Sequence, residues 1–129
     1  MNRAMLLALS LVAALAVASG PALAGPDAAK GKKVFAKCKA CHALTKGKNK
    51  IGPSLYGLFE RKARTAPGFK RFSPAIKKSG IVWNAETLEK YLAKPRDFIE
   101  GNRMPFAGLK KNADRDNLIA YLEKATKGK

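Results

Sequence analysis

All of the cysteine and histidine in this 129-residue chain falls within five consecutive positions, Cys38-Lys39-Ala40-Cys41-His42. Two thiols three residues apart, with an imidazole beside the second, fit three chemistries. A redox-active dithiol of the C-x-x-C kind is usually preceded by a strand in a βαβ setting, and no strand pattern precedes Cys38. A structural zinc site closes four protein ligands around the ion. The chain has three soft donors, so a fourth would be a carboxylate or come from another chain. The third chemistry is covalent haem attachment, for which C-x-x-C-H is the signature. Each thiol adds to a haem vinyl group to form a thioether, and the adjacent histidine becomes an axial ligand of the iron. The pattern alone arises by chance in unrelated proteins. Behind an export signal, and using every Cys and His, it is strong.

Such a signal is present. Met1-Asn2-Arg3 gives a positive start, residues 4–18 form an apolar run, Ser19-Gly20-Pro21 breaks it, and Ala22-Leu23-Ala24 is a small-x-small cleavage pattern. The run is short of the roughly 20 residues that span a bilayer. The expectation is a signal peptide over 1–24, cleaved after Ala24, and one exported domain over 25–129. Export puts the domain where thiols are not kept reduced.

A second axial ligand follows by elimination. There is no other histidine, and Met1 and Met5 leave with the leader, so Met104 is the only methionine of the exported domain. A lone methionine is commonly core filler on a helix face. Met104 instead sits in a breaker-rich stretch, "GNRMPFAG", with Pro105 biasing it away from helix. A thioether is soft and neutral and favours Fe(II), so His/Met ligation raises the reduction potential. With His42 and Met104 both on the metal, no position is open for substrate, which leaves electron transfer.

The elements that must position these residues are few. Asp27 is a plausible N-cap for a short helix through Val34 and Phe35. Residues 43–82 hold many glycines and prolines and read as loop, with helical turns near Leu55–Phe59 and Pro74–Lys78. Asn84 caps a helix over Ala85–Ala93 that Pro95 stops. The stretch from Pro95 to Gly108 reads as loop. Asn112 can cap a last helix from about Ala113 to Lys127, with Leu118, Leu122 and Ala125 as its inward stripe. The fold class is therefore all-α, three main helices with long loops. Loops this long in so small a domain count against the assignment unless something else is packed inside. One covalently bound haem supplies that missing apolar mass.

The chain carries 26 Lys and Arg against 9 Asp and Glu, a formal net charge of +17, one unit of it in the leader. Net charge does not specify fold, but it implies a negative partner surface: nucleic acid, anionic lipid or an acidic protein.

From "GKKVFAKCKACH" through "IGPSLYGLFERKARTAPGF", "GIVWNAETLEKYLAKP" and "GNRMPFAG" to "DNLIAYLEKAT", the chain resembles the class I, mitochondrial-type cytochromes c, and in particular the small soluble bacterial members. The likeness covers nearly all of 25–129. It implies the cytochrome c fold, with the terminal helices crossing near Gly31, Phe35, Leu118 and Tyr121 and the haem in a crevice with one edge exposed. It implies that the carbonyl of Pro53 accepts from the His42 ring, that Arg61 and Trp83 bond a buried haem propionate, and that Tyr91 lies near the Met104 sulfur. It also implies that Lys37, Lys39, Lys94, Arg96, Arg103, Lys110 and Lys111 ring the exposed haem edge. The chain departs from the family pattern at Phe72, where many relatives have tyrosine, at Ile76, near a usually polar position, and at Glu100, in place of a common proline.

These readings make the protein a monomeric periplasmic electron carrier rather than an enzyme, with no stable membrane insertion after cleavage. It would shuttle one electron at a time from a membrane quinol–cytochrome c reductase to an oxidase, a photosynthetic reaction centre or another reductase, docking on acidic surfaces. Two rivals differ in class. A basic nucleic-acid-binding protein leaves the Cys38–His42 cluster unexplained. A haem peroxidase or sensor requires that Met104 not ligate.

Overall fold

The computed structural model describes residues 18–21 and 23–127. The leader expected over 1–24 lies largely outside them. No described helix is long and apolar enough to cross a membrane.

The described residues form five helical segments in order: α1 Ala28–Phe35, α2 Pro74–Lys78, α3 Ala85–Ala93, α4 Pro95–Phe98 and α5 Asn112–Ala125. Asp27 starts α1, its side chain accepting from the amides of Ala29 and Lys30, while its own amide donates to Asn117 Oδ1 at 2.7 Å. One residue thus caps the first helix and ties it to the last. The two helices cross where side chains are smallest. A Cβ on Gly31 would run into the Asn117 carbonyl and stand 2.7 Å from the Tyr121 Cβ, so only glycine permits this approach. Just beyond, the rings of Phe35 and Tyr121 pack at 5.6 Å. The α3 cap is reciprocal: Thr87 N donates to Asn84 Oδ1, and Asn84 N to the Thr87 hydroxyl, both at 2.9 Å.

Three local expectations are corrected. The stretch Leu55–Phe59 is not helical. It is a hydrogen-bonded turn, because Gly57 (φ 65°) and Glu60 (φ 60°) take left-handed backbone that ends any right-handed turn. Pro95 stops α3 but also begins α4, where its missing amide costs nothing at the first helical position. Asn112 does not cap α5: the helix begins at Asn112, with Lys111 at the cap and no side-chain bond, because the Asn112 side-chain oxygen Oδ1 accepts from Arg115 instead.

The loops are held by long-range bonds. Glu60 N meets Trp83 O, Trp83 N meets Arg61 O and Ala63 N meets Ile81 O, at 2.7–2.9 Å, so residues 60–63 run against 81–83 around one isolated antiparallel bridge, Lys62 to Val82. Gly57 N bonds Thr126 O at 2.7 Å, closing the middle of the chain on its end. The core gathers Leu58, Leu88, Leu92, Leu109, Leu118 and Leu122 among others, each fully buried side chain contributing about 1.5–3 kcal/mol. This core forms one wall of a large cavity.

Candidate functional site

All eight residues singled out in the sequence line that cavity: Cys38, Cys41, His42, Pro53, Arg61, Trp83, Tyr91 and Met104. They come from four separate stretches, brought together by the contacts just described.

The cysteine–histidine cluster is one tight turn after α1. Cys41 N and His42 N both return to Cys38 O, at 3.1 and 2.9 Å. Both thiols are free and half-buried. Burial raises the Cys38 pKa, the neighbouring Cys41 adds to the rise, and Lys37 opposes it.

His42 is fixed by what surrounds it. Its Nδ1 lies 2.7 Å from Pro53 O. A carbonyl only accepts, so Nδ1 carries the proton and Nε2 keeps its lone pair. Burial pushes the imidazole pKa down, the Pro53 bond partly offsets this, and Arg61 and Lys50 lower it further. The ring is therefore a neutral base with one nitrogen free to bind a metal, oriented by a carbonyl that strengthens it as a donor. Gly52 lies against it: a Cβ there would be 2.9 Å from both ring nitrogens and closer still to Cε1. The sequence reading missed Gly52, although a glycine beside a ligand's partner is a signal of close backbone approach.

Every polar atom of Met104 has a protein partner. Its amide donates to Asn102 Oδ1 at 3.0 Å, its carbonyl accepts from Phe106 N at 2.9 Å, and its sulfur lies 3.6 Å from the Tyr91 hydroxyl. Burial raises the Tyr91 pKa to about 12, so the hydroxyl stays a donor at any physiological pH. Trp83 and Phe98 pack on the Tyr91 ring, at 4.9 and 6.5 Å between centroids.

A second wall offers donors. Arg61 gives Nη1 to Tyr56 O (2.7 Å) and Nη2 to Ser54 O (3.1 Å), which leaves three of its five N–H groups. Burial lowers its pKa. Trp83 is 9% exposed, and its indole N–H has no hydrogen-bond partner among the described residues. Lys37, Lys62, Arg64, Arg71 and Arg103 also line the cavity, and among the described residues no carboxylate does. A tryptophan donor open to the cavity, beside a partly committed guanidinium, fits an anionic group carried by an otherwise apolar occupant. A haem with its propionates meets that description. Phe72 and Ile76, the departures from the family pattern, line the same cavity, while Glu100 is solvent-exposed. The seven cations expected around the haem edge are all exposed, and Lys94 pairs with Asp97 at 3.5 Å.

Two further residues escaped the sequence reading. Asn102 is buried within the stretch that presents Met104. Arg115 is buried on α5 and bonds Glu89 Oε1 (2.7 Å) and Leu109 O (2.6 Å). It thereby fastens the exit of the same stretch to α3 and α5.

Comparison with known proteins agrees with this geometry. Residues 28–126 match the family described as Cytochrome c. Cytochrome c2 iso-2 of Magnetospirillum fulvum is 55% identical over 89 residues, 69% of this chain and 92% of that protein. Cytochrome c2 of Rhodoblastus acidophilus is 49% identical over 98 residues, 75% and 89% of the two chains. Among solved structures, cytochrome cH from Methylobacterium extorquens superposes with a TM-score of 0.71 at 43% identity, covering 76% of this chain and 98% of that one.

Proposed function

The chain belongs to the cytochrome c family, and from that membership and the cavity's geometry we propose that it is a soluble periplasmic shuttle between membrane redox complexes. As a member of that family it is an electron carrier, not an enzyme, and it holds one covalently attached haem c.

Cys38 and Cys41 would hold the haem through two thioethers, His42 Nε2 and the Met104 sulfur would bind its iron, and Arg61 and Trp83 would receive a propionate. The haem supplies reversible one-electron exchange between Fe(II) and Fe(III). The chain's own residues tune and protect that exchange. Pro53 O draws on the Nδ1 proton and makes Nε2 a stronger donor. Tyr91 bonds the sulfur and holds it in place. Leu58, Leu88 and Leu122 keep water off the cavity wall. With His42 and Met104 both bound to it, the metal would have no position open to oxygen or substrate.

The observation that carries this reading is the pairing of a neutral, singly tethered His42 with a Met104 whose three polar atoms are all bonded. An open-site peroxidase has no use for a sulfur so fixed. The exposed cations would steer the carrier to acidic surfaces on a quinol–cytochrome c reductase and on an oxidase or reaction centre. Steering of this kind supports association at up to ~10⁸–10⁹ M⁻¹s⁻¹ at low salt. It sets speed and orientation more than lasting affinity, which suits a carrier that must leave.

Stopped-flow reduction of the purified monomer by isolated quinol–cytochrome c reductase tests the shuttle. Rapid reduction that slows as salt rises is expected, together with a mature N-terminus at Gly25 in periplasmic material. Ready binding of carbon monoxide by the reduced protein at neutral pH would point instead to an open iron.

A further inference from the structure

We propose that Asn102 is a positioning residue for the Met104 sulfur, the buried bolt that keeps the methionine stretch closed over the cavity. The inference rests on the reading of Met104 as an axial ligand.

Asn102 is one of the few buried polar residues among those described, at 6% exposure, and it also lines the cavity. Its side-chain amide is almost fully used. Nδ2 donates to Pro95 O at 2.6 Å and to Ile99 O at 3.0 Å, and Oδ1 accepts from Met104 N at 3.0 Å. The two carbonyls belong to α4 and the residue that follows it. α4 has only four residues and no side-chain cap at its start. A helix that short has little stability of its own. The Asn102 amide fastens its carbonyls to the backbone of the residue carrying the sulfur, so the direction in which the chain leaves α4 fixes where Met104 sits.

Asparagine is suited to this task. Two donors and an acceptor at the end of one short side chain meet two carbonyls and an N–H. Aspartate would keep the acceptor but lose both donors. Alanine would leave the Met104 amide without its partner in a largely water-excluded place, which is costly, and would leave Pro95 O and Ile99 O only their single backbone bonds, from Ile99 N and Asn102 N at 3.1 Å. Exchange of Met104 for another ligand would require this stretch to open, and opening gives up the three Asn102 side-chain bonds. Removing the bolt therefore lowers the cost of opening more than it changes any contact of the sulfur itself.

The test uses the oxidised, haem-loaded protein and imidazole as a competing ligand. Parent and Asn102→Ala are titrated with imidazole while the far-red methionine–iron absorption is followed. The variant is expected to bind imidazole roughly 5- to 100-fold more tightly. Thr126→Val is the control. Thr126 is 1% exposed and bonded to Leu122 O at 2.8 Å, but it does not line the cavity. It should lower the unfolding midpoint and leave imidazole affinity unchanged. If the alanine variant does not accumulate, Asn102→Asp, which loses both donors, should also bind imidazole more tightly than the parent. A parent with the far-red band and a variant with the parent's affinity overturns the role of Asn102 alone. A parent without the band overturns Met104 ligation, and this proposal with it.

Discussion

Replacing Tyr91 by phenylalanine should lower the reduction potential. Tyr91 is 8% exposed, its ring is packed by Trp83 and Phe98, and its hydroxyl reaches the Met104 sulfur at 3.6 Å. The substitution removes one oxygen and keeps the ring, so packing is little changed. A hydrogen bond to a thioether withdraws electron density that the sulfur would otherwise give to iron. Fe(III) depends on that donation more than Fe(II) does, so the bond disfavours the oxidised state, and losing it favours oxidation. A neutral hydrogen bond contributes about 0.5–1.5 kcal/mol. At 59 mV per tenfold for one electron, that range corresponds to roughly 20–65 mV. Sulfur is a weak acceptor, so the lower half of the range is expected. Equilibrium redox titration of both proteins measures the shift, with the far-red band confirming that the methionine stays bound. Because Tyr91 titrates only at about 12, the difference should be constant between about pH 6 and 9. A potential equal to or above the parent's, with the band intact, would refute the argument.

Three other perturbations follow from the geometry. Gly52→Ala puts a methyl 2.9 Å from the His42 ring nitrogens, so the holoprotein should lose about 1–3 kcal/mol in denaturant unfolding; an unchanged midpoint would mean the imidazole has room to move. Arg96→Glu or Lys110→Glu should slow reaction with the reductase severalfold at low salt and little at high salt, where the Debye length falls to about 3 Å at 1 M; equal loss at both would deny steering. Asp27 is held below the ordinary carboxylate pKa by the amides of Lys30 and Ala29. Its contribution is present above the unfolded value and is lost as pH falls through the folded one, so Asp27→Asn should flatten the acid side of the stability–pH curve. A slope identical to the parent's would remove Asp27 from acid unfolding.

The sequence was most legible where one residue decides a local outcome. Asp27 and Asn84 cap the helices they precede, and Pro95 ends α3, because capping and proline chemistry act within one turn. The cluster of candidate residues was legible because its residue types are scarce: one histidine, two cysteines, and one methionine after residue 24. What could not be read depends on partners far along the chain. Asn112 looks like a cap until Arg115 claims its side chain. Arg115, on a helix rich in charge, gives no sign of burial until Leu109 and Glu89 arrive from other elements. Asn102 resembles any turn residue, and only the fold of α4 brings two carbonyls to its amide. Gly57 and Glu60 turned an apolar stretch that reads as a helical turn into a tight reversal.

The central claim is that His42 nitrogen and Met104 sulfur both bind the iron of the covalently held haem. Iron-edge X-ray absorption on the oxidised holoprotein measures the donors themselves. The account predicts one sulfur scatterer in the iron shell, lost in Met104→His, with nitrogen making up the rest. A shell of nitrogen or oxygen alone in the parent protein would contradict it.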